Sequence, residues 1–178
     1  MRIIFKFFSQ PIIICSLIIY FFSILTGAIL SKEVDFSFYN GDFSFSPLHY
    51  FQHNLVSCII LISGIAVFSL STLWSLFLNG VMLGATFVGV AIEKSIQEAI
   101  ASIFFHGIFE IPAIILSGAI GLYPIYLIYL LLRNKKEIDY KNQIKSIGIM
   151  LALIVVFLII ASIMEAKVSP LVINYFFK

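Results

Sequence analysis

His106 and Glu110 are the residues of this chain whose types and spacing could do chemistry. Four residues apart on a helix, they share one face within hydrogen-bonding reach of each other, while Phe105, Ile108 and Phe109 point elsewhere. A histidine changes charge near neutrality, so the pair has the makings of a proton relay. It equally has the makings of a structural clasp, a hydrogen-bonded pair that docks one helix on its neighbours with no transported species. Zinc hydrolysis fits less well, because a catalytic zinc takes three protein ligands and a base and His-Gly-x-x-Glu offers two candidates. No P-loop, no Gly-x-Ser-x-Gly and no dinucleotide-binding glycine pattern occurs. The expectation is a chain that is not an enzyme and takes no cofactor or metal.

The sequence around the pair decides what environment it occupies. Of the 178 residues 61% are hydrophobic and only 11% charged, and the mean hydropathy is +1.10. That composition leaves room for several apolar runs of about 18 residues or more, each able to cross a bilayer, and for no water-soluble domain. Residues 1–178 therefore read as one all-α membrane domain, with the bilayer as first partner. A charge of +2 is too small to imply nucleic acid. A charged side chain at the bilayer centre costs about 2.5–3.5 kcal/mol on insertion scales, so His106 and Glu110 should face a bundle interior or a wet cavity. The other polar residues of the apolar runs, Asn54, Asn79 and Glu165, need partners for the same reason.

Six apolar segments follow one another. Pro11–Leu30 is the first, with Arg2 and Lys6 before it. Residues 1–10 read as an interfacial anchor rather than a cleaved signal peptide, and the positive-inside bias puts the N-terminus in the cytoplasm. The long run from Leu55 divides into Leu55–Leu73 and Leu76–Ile92. The second holds Gly80-Val81-Met82-Leu83-Gly84, small residues at the spacing that lets two helix backbones approach in lipid, and Asn79 there reads as a helix-docking amide. Ala99–Ile111 and Ala113–Leu132 follow, then Ile147–Met164. Residues 133–146 carry Arg133, Lys135, Lys136, Lys141 and Lys145 against Glu137 and Asp139, which wants that loop in the cytoplasm. One segment must then fail to cross. Ala99–Ile111 is short, and Pro112 lacks an N–H and crowds the Ile108 carbonyl, so this segment reads as a re-entrant or broken helix, with Gly107, Gly118 and Gly121 as further packing or breaking points. The count is about five full spans plus that piece.

Residues 31–53 read as an outer loop. Within it, Phe36-Ser37-Phe38-Tyr39-Asn40-Gly41-Asp42-Phe43-Ser44-Phe45 has the turn residues and alternation of a β-hairpin, with four phenylalanines on one face. Cys15 and Cys58 fall in apolar runs and read as small buried hydrophobes. His49 and His53, near Asp35 and Asp42, read as solvated side chains rather than a metal site.

An ordered series of motifs resembles the stage II sporulation protein M family. It runs from Phe51-Gln52-His53-Asn54-Leu55 through Asn79-Gly80-Val81-Met82-Leu83-Gly84 to His106-Gly107-Ile108-Phe109-Glu110-Ile111-Pro112-Ala113-Ile114. Ser117-Gly118-Ala119-Ile120-Gly121 and then Glu165-Ala166 and Ser169-Pro170 complete it. Family members usually have a proline just before the histidine, where Phe105 stands here. The resemblance implies a multi-pass protein of a prokaryotic cell membrane without an established catalytic activity. It implies a scaffold in a membrane complex that positions peptidoglycan-degrading partners during forespore engulfment, or a component beside export genes such as those for circular bacteriocins. Partners expected on that basis are other membrane proteins, an exporter or hydrolase complex, or further copies of the chain. The reading from a different class is a small transporter or export subunit coupled to protons through His106 and Glu110. What separates the two is whether the intramembrane polar groups open onto a cavity or are sealed in packing.

Overall fold

The computed structural model describes residues 10–31, 46–133, 140–169, 171 and 175, and within them the side chains of all but residues 102, 105, 106 and 140. No strand occurs among the described residues. Among the described residues there are six α-helices: α1 (Pro11–Leu30), α2 (Pro47–Ile62), α3 (Leu70–Glu93), α4 (Ile96–Gly121), α5 (Tyr123–Leu132) and α6 (Tyr140–Ile163).

Local chemistry sets the helix starts. Pro11 and Pro47 occupy the first turns of α1 and α2, where a missing N–H costs nothing and φ is already helical. Ser46 is extended (φ −68°, ψ 154°), and its hydroxyl accepts from the His49 N–H. Ser95 caps α4 by accepting from the Glu98 N–H at 3.1 Å, while Lys94 pairs with Glu98 at 2.8 Å. α2 tightens into a 3₁₀ turn at Ser63–Ile65. The chain then reverses through Phe68 (φ 50°) and Ser69 (φ 66°), a left-handed pair held by the Ser69 N–H donating to the Gly64 carbonyl at 2.7 Å. α6 ends in a π-helical turn, Met164–Val168.

Three hydrogen bonds and one close backbone approach fix the directions of the helices. Ser16 Oγ donates to the Ile115 carbonyl at 2.9 Å, Thr72 Oγ1 to the Leu61 carbonyl at 2.7 Å, and Gln10 Nε2 to Ser146 Oγ at 3.0 Å. Gly64 packs on the Gly121 carbonyl. One end of the bundle therefore collects the starts of α1, α3 and α6 and the ends of α2 and α4, so successive long helices alternate in direction. The second half of α4 and its C-cap, residues 113–122, are buried throughout. Leu116 and Ile120 meet Tyr20 of α1, Cys58 and Leu61 of α2, Leu76 of α3 and Leu158 of α6 in one core.

Among the described residues, four helices are long and apolar enough to cross a membrane: Pro11–Leu30, Pro47–Ile65, Leu70–Glu93 and Lys141–Val168. The pair Gly107–Gly121 and Tyr123–Leu132, bent by 49°, makes a fifth if counted as one span.

Several sequence expectations are corrected. α4 runs unbroken through Pro112. The break falls instead at Leu122, where Pro124 opens α5. Packing from four neighbouring helices tolerates the proline that sequence reasoning took as a terminator. A single helix over 96–121 thus replaces a re-entrant Ala99–Ile111 followed by a separate span. α2 starts at Pro47, inside the stretch read as outer loop, because Ser46-Pro47 is a strong helix start despite the polar residues after it. The α2–α3 reversal lies at residues 66–69, ahead of the division expected between Leu73 and Leu76. Tyr140–Ser146, read as loop, forms the first turns of α6. The hairpin at Phe36–Phe45, the anchor at residues 1–9 and the middle of the basic loop lie outside the described residues.

Candidate functional site: a polar face at the centre of the bundle

Glu110 and Ser117 are seven residues apart on α4 and so share the face that meets α1 and α2. Asn54 and Cys58 stand one turn apart on α2, and Ser16 and Tyr20 one turn apart on α1. The Cys58 thiol lies against the Ser117 hydroxyl, and the Glu110 carboxyl is close enough to act electrostatically on both Cys58 and Tyr20. A thiol is a weak donor, and Ser117 Oγ, wholly buried, makes no full hydrogen bond. Asn54 is 5% exposed, and its Nδ2 has no acceptor among the described residues. Glu165 sits in the π-helical turn, which packs on α2 and α4.

The remaining residues singled out from sequence divide by location. Asn79 donates to the Ser75 carbonyl at 2.8 Å and to Ser75 Oγ at 3.3 Å. Its Nδ2 donor is thus satisfied one turn back in its own helix. Gly80 abuts Ser23 and the Tyr20 carbonyl, Gly84 abuts the Ile24 carbonyl and Ala28 N–H, and Gly27 abuts Val81 in return. α1 and α3 therefore run parallel with their backbones in contact along a glycine seam. Gly118 sits under Ser16 and Leu76, and Gly121 under the Leu61 carbonyl and Thr72. The nearest atoms that a side chain at Gly107 would meet belong to Ile103 and Ile111 of its own helix. Gly107 and Pro112 instead line an open groove of about 370 Å³ on the outer side of α4, with Ile103, Phe104, Ile108 and Ile111. None of the polar-face residues lines it. The backbone of His106 is helical one turn before Glu110, and its side chain lies outside the described residues.

Cys58 is buried in the core as expected of a small hydrophobe, whereas Cys15, expected to be buried likewise, is exposed. Sequence reasoning missed Tyr20, Ser117 and Gly27. The signal was present: polar residues at i, i+4 and i+7 spacing on α1, α2 and α4 mark three faces that must meet. Together they bring a carboxyl, an amide, a thiol, a hydroxyl and a phenol into one stretch of the bundle about two helical turns long. Among the described residues, no three His, Cys, Asp or Glu side chains are grouped to hold a metal.

The family model for stage II sporulation protein M matches residues 16–170. The chain belongs to the stage II sporulation protein M family. The match takes in all six helices apart from the first turn of α1, and with them the whole polar face. An uncharacterized protein of Methanocaldococcus jannaschii is 28% identical over 150 residues, covering 82% of this chain and 84% of the relative. No solved structure matches.

Proposed function

We propose that this member of the family is a non-catalytic assembly component of a prokaryotic cell membrane, a scaffold whose bundle presents a fixed outer surface to membrane partners. The observation that carries this reading is that Ser16, Tyr20, Cys58 and Ser117 are buried inside helix packing, while the groove on α4 is lined by apolar residues alone. Polar groups enclosed this way lock helices in register. The partner is an exporter or hydrolase complex, or a further copy of the chain, and the N-terminus faces the cytoplasm.

The second reading, a small transporter or export subunit coupled to protons through His106 and Glu110, draws on the Asn54 amide, which is buried without an acceptor among the described residues. Glu110→Gln separates the two, because an amide keeps the size and hydrogen bonding of the carboxyl but cannot take up and release a proton. As a scaffold, the glutamine variant reaches wild-type membrane levels and retains its partners. An abundant variant that keeps its partners but abolishes proton uptake in reconstituted vesicles overturns the scaffold reading.

A further inference from the structure

The bundle has an electrically lopsided pair of ends. The end that collects the starts of α1, α3 and α6 carries Arg133, Lys141 and Lys145, all exposed. Every described carboxylate lies elsewhere: Glu93, Glu98 and Glu165 toward the opposite end, beside Lys94 and Lys167, and Glu110 at mid-bundle. In the sequence between α5 and α6, Lys135 and Lys136 are offset by Glu137 and Asp139, so that stretch leaves the excess unchanged.

The same end is also the one where apolar surface runs past the packed core. α5 turns 49° away from α4. At ten residues it rises only about 15 Å, half the hydrocarbon thickness, and cannot cross by itself. It exposes Ile125, Ile128, Leu131 and Leu132, and the reversal between α2 and α3 exposes Val67 and Phe68. Tyrosines at 123, 126 and 129 and an exposed Trp74 give this level the aromatic composition of a membrane–water boundary. Arg133 closes α5 with its guanidinium donating to Tyr129 Oη at 2.7 Å, 5.8 Å from the ring centroid. The cation is thus held at the rim of the apolar helix rather than over its body. Apolar surface edged by cations with no described counter-charge is the chemistry that seats a helix in a leaflet of anionic phospholipid.

We infer that this end of the bundle is an anionic-phospholipid binding surface, in which α5 lies along the leaflet boundary as a foot and Arg133, Lys141 and Lys145 hold phosphate headgroups. It is independent of the scaffold reading and holds for a transporter as well. The test uses the full-length chain in nanodiscs of phosphatidylcholine and phosphatidylglycerol at 7:3, with the lipids that stay bound counted by native mass spectrometry. Phosphatidylglycerol is expected to be enriched over the bulk ratio. At about fivefold per surface cation, the triple variant Arg133→Gln/Lys141→Gln/Lys145→Gln should lose at least about tenfold of that preference. Lys94→Gln/Lys167→Gln at the opposite end should keep it, and so should the charge-preserving Lys141→Arg/Lys145→Arg, which controls for folding. Bulk-ratio retention by the wild type overturns the inference, as does a triple variant that still enriches phosphatidylglycerol. Loss in the triple variant of an acidic membrane protein, with lipid preference unchanged, would reassign the surface to protein docking.

Discussion

At the residue scale the bundle is held by hydroxyl-to-carbonyl bonds between helices. Thr72 Oγ1 on the Leu61 carbonyl and Ser16 Oγ on the Ile115 carbonyl each give up water for a single buried acceptor. Such bonds in membrane proteins are worth on average about 0.6 kcal/mol and at most about 1.7. Thr72→Val, which keeps the shape and removes the donor, should therefore lower unfolding stability in detergent by about 1 kcal/mol; no measurable change would show the bond to be dispensable. Glu110→Leu is expected to cost more, about 1–3 kcal/mol, because the polar groups around the carboxyl lose a partner that apolar surface cannot replace, and denaturant titration beside Glu110→Gln measures the difference. Sequence picked out Glu110, Asn54 and Glu165 because polar groups are conspicuous in apolar runs. It passed over Tyr20, Cys58 and Ser117 because each is unremarkable on its own helix and acquires a role only when three helices meet.

At the element scale, the glycine seam between α1 and α3 is the most position-specific contact. A side chain at Gly84 collides with the Ile24 carbonyl, which is backbone and cannot swing aside, whereas nothing lies within 4 Å of a side chain at Gly148. Gly84→Leu should disrupt the fold or cost about 1–3 kcal/mol or more, and Gly148→Leu should be tolerated; membrane abundance and thermal melting of the two variants make the comparison. Pro112→Ala is expected to leave abundance unchanged or raise it, since α4 is continuous there and alanine restores a donor to the Ile108 carbonyl. A loss of folding in that variant would mean that the proline shapes the helix after all. Gly80 and Gly84 were legible in sequence as a motif, but their partner Gly27 on α1 was not, because one glycine in an apolar run carries no spacing signal. The start of α2 was missed for a comparable reason. Gln52, His53 and Asn54 look like loop when scored for hydropathy, and the Ser46-Pro47 cap that overrides them is a two-residue signal.

At the scale of the whole molecule, the alternation of α1, α2, α3, α4 and α6 satisfies the charge pattern without a re-entrant segment. With the bent pair Gly107–Gly121 and Tyr123–Leu132 counted as one span, Gln10 and the basic residues before α6 fall at the same end. Counting apolar runs could not reveal this, because a proline in the middle of a run reads the same whether neighbouring helices tolerate it or not. Single cysteines at Val67 and Asn142 should be labelled from the same side of the membrane, and one at Lys94 from the other. Val67 and Asn142 labelled from opposite sides would refute the arrangement. The fold and the family make this a membrane protein, and the enclosed polar face is what the proposal rests on that the chain works by holding other membrane proteins. The most direct measurement is crosslinking in native membranes followed by purification of the intact chain and quantitative identification of what comes with it. The account predicts a stoichiometric membrane partner, recovered equally with wild type and with Glu110→Gln. A chain recovered alone, which moves protons after reconstitution and stops doing so in Glu110→Gln, would contradict it.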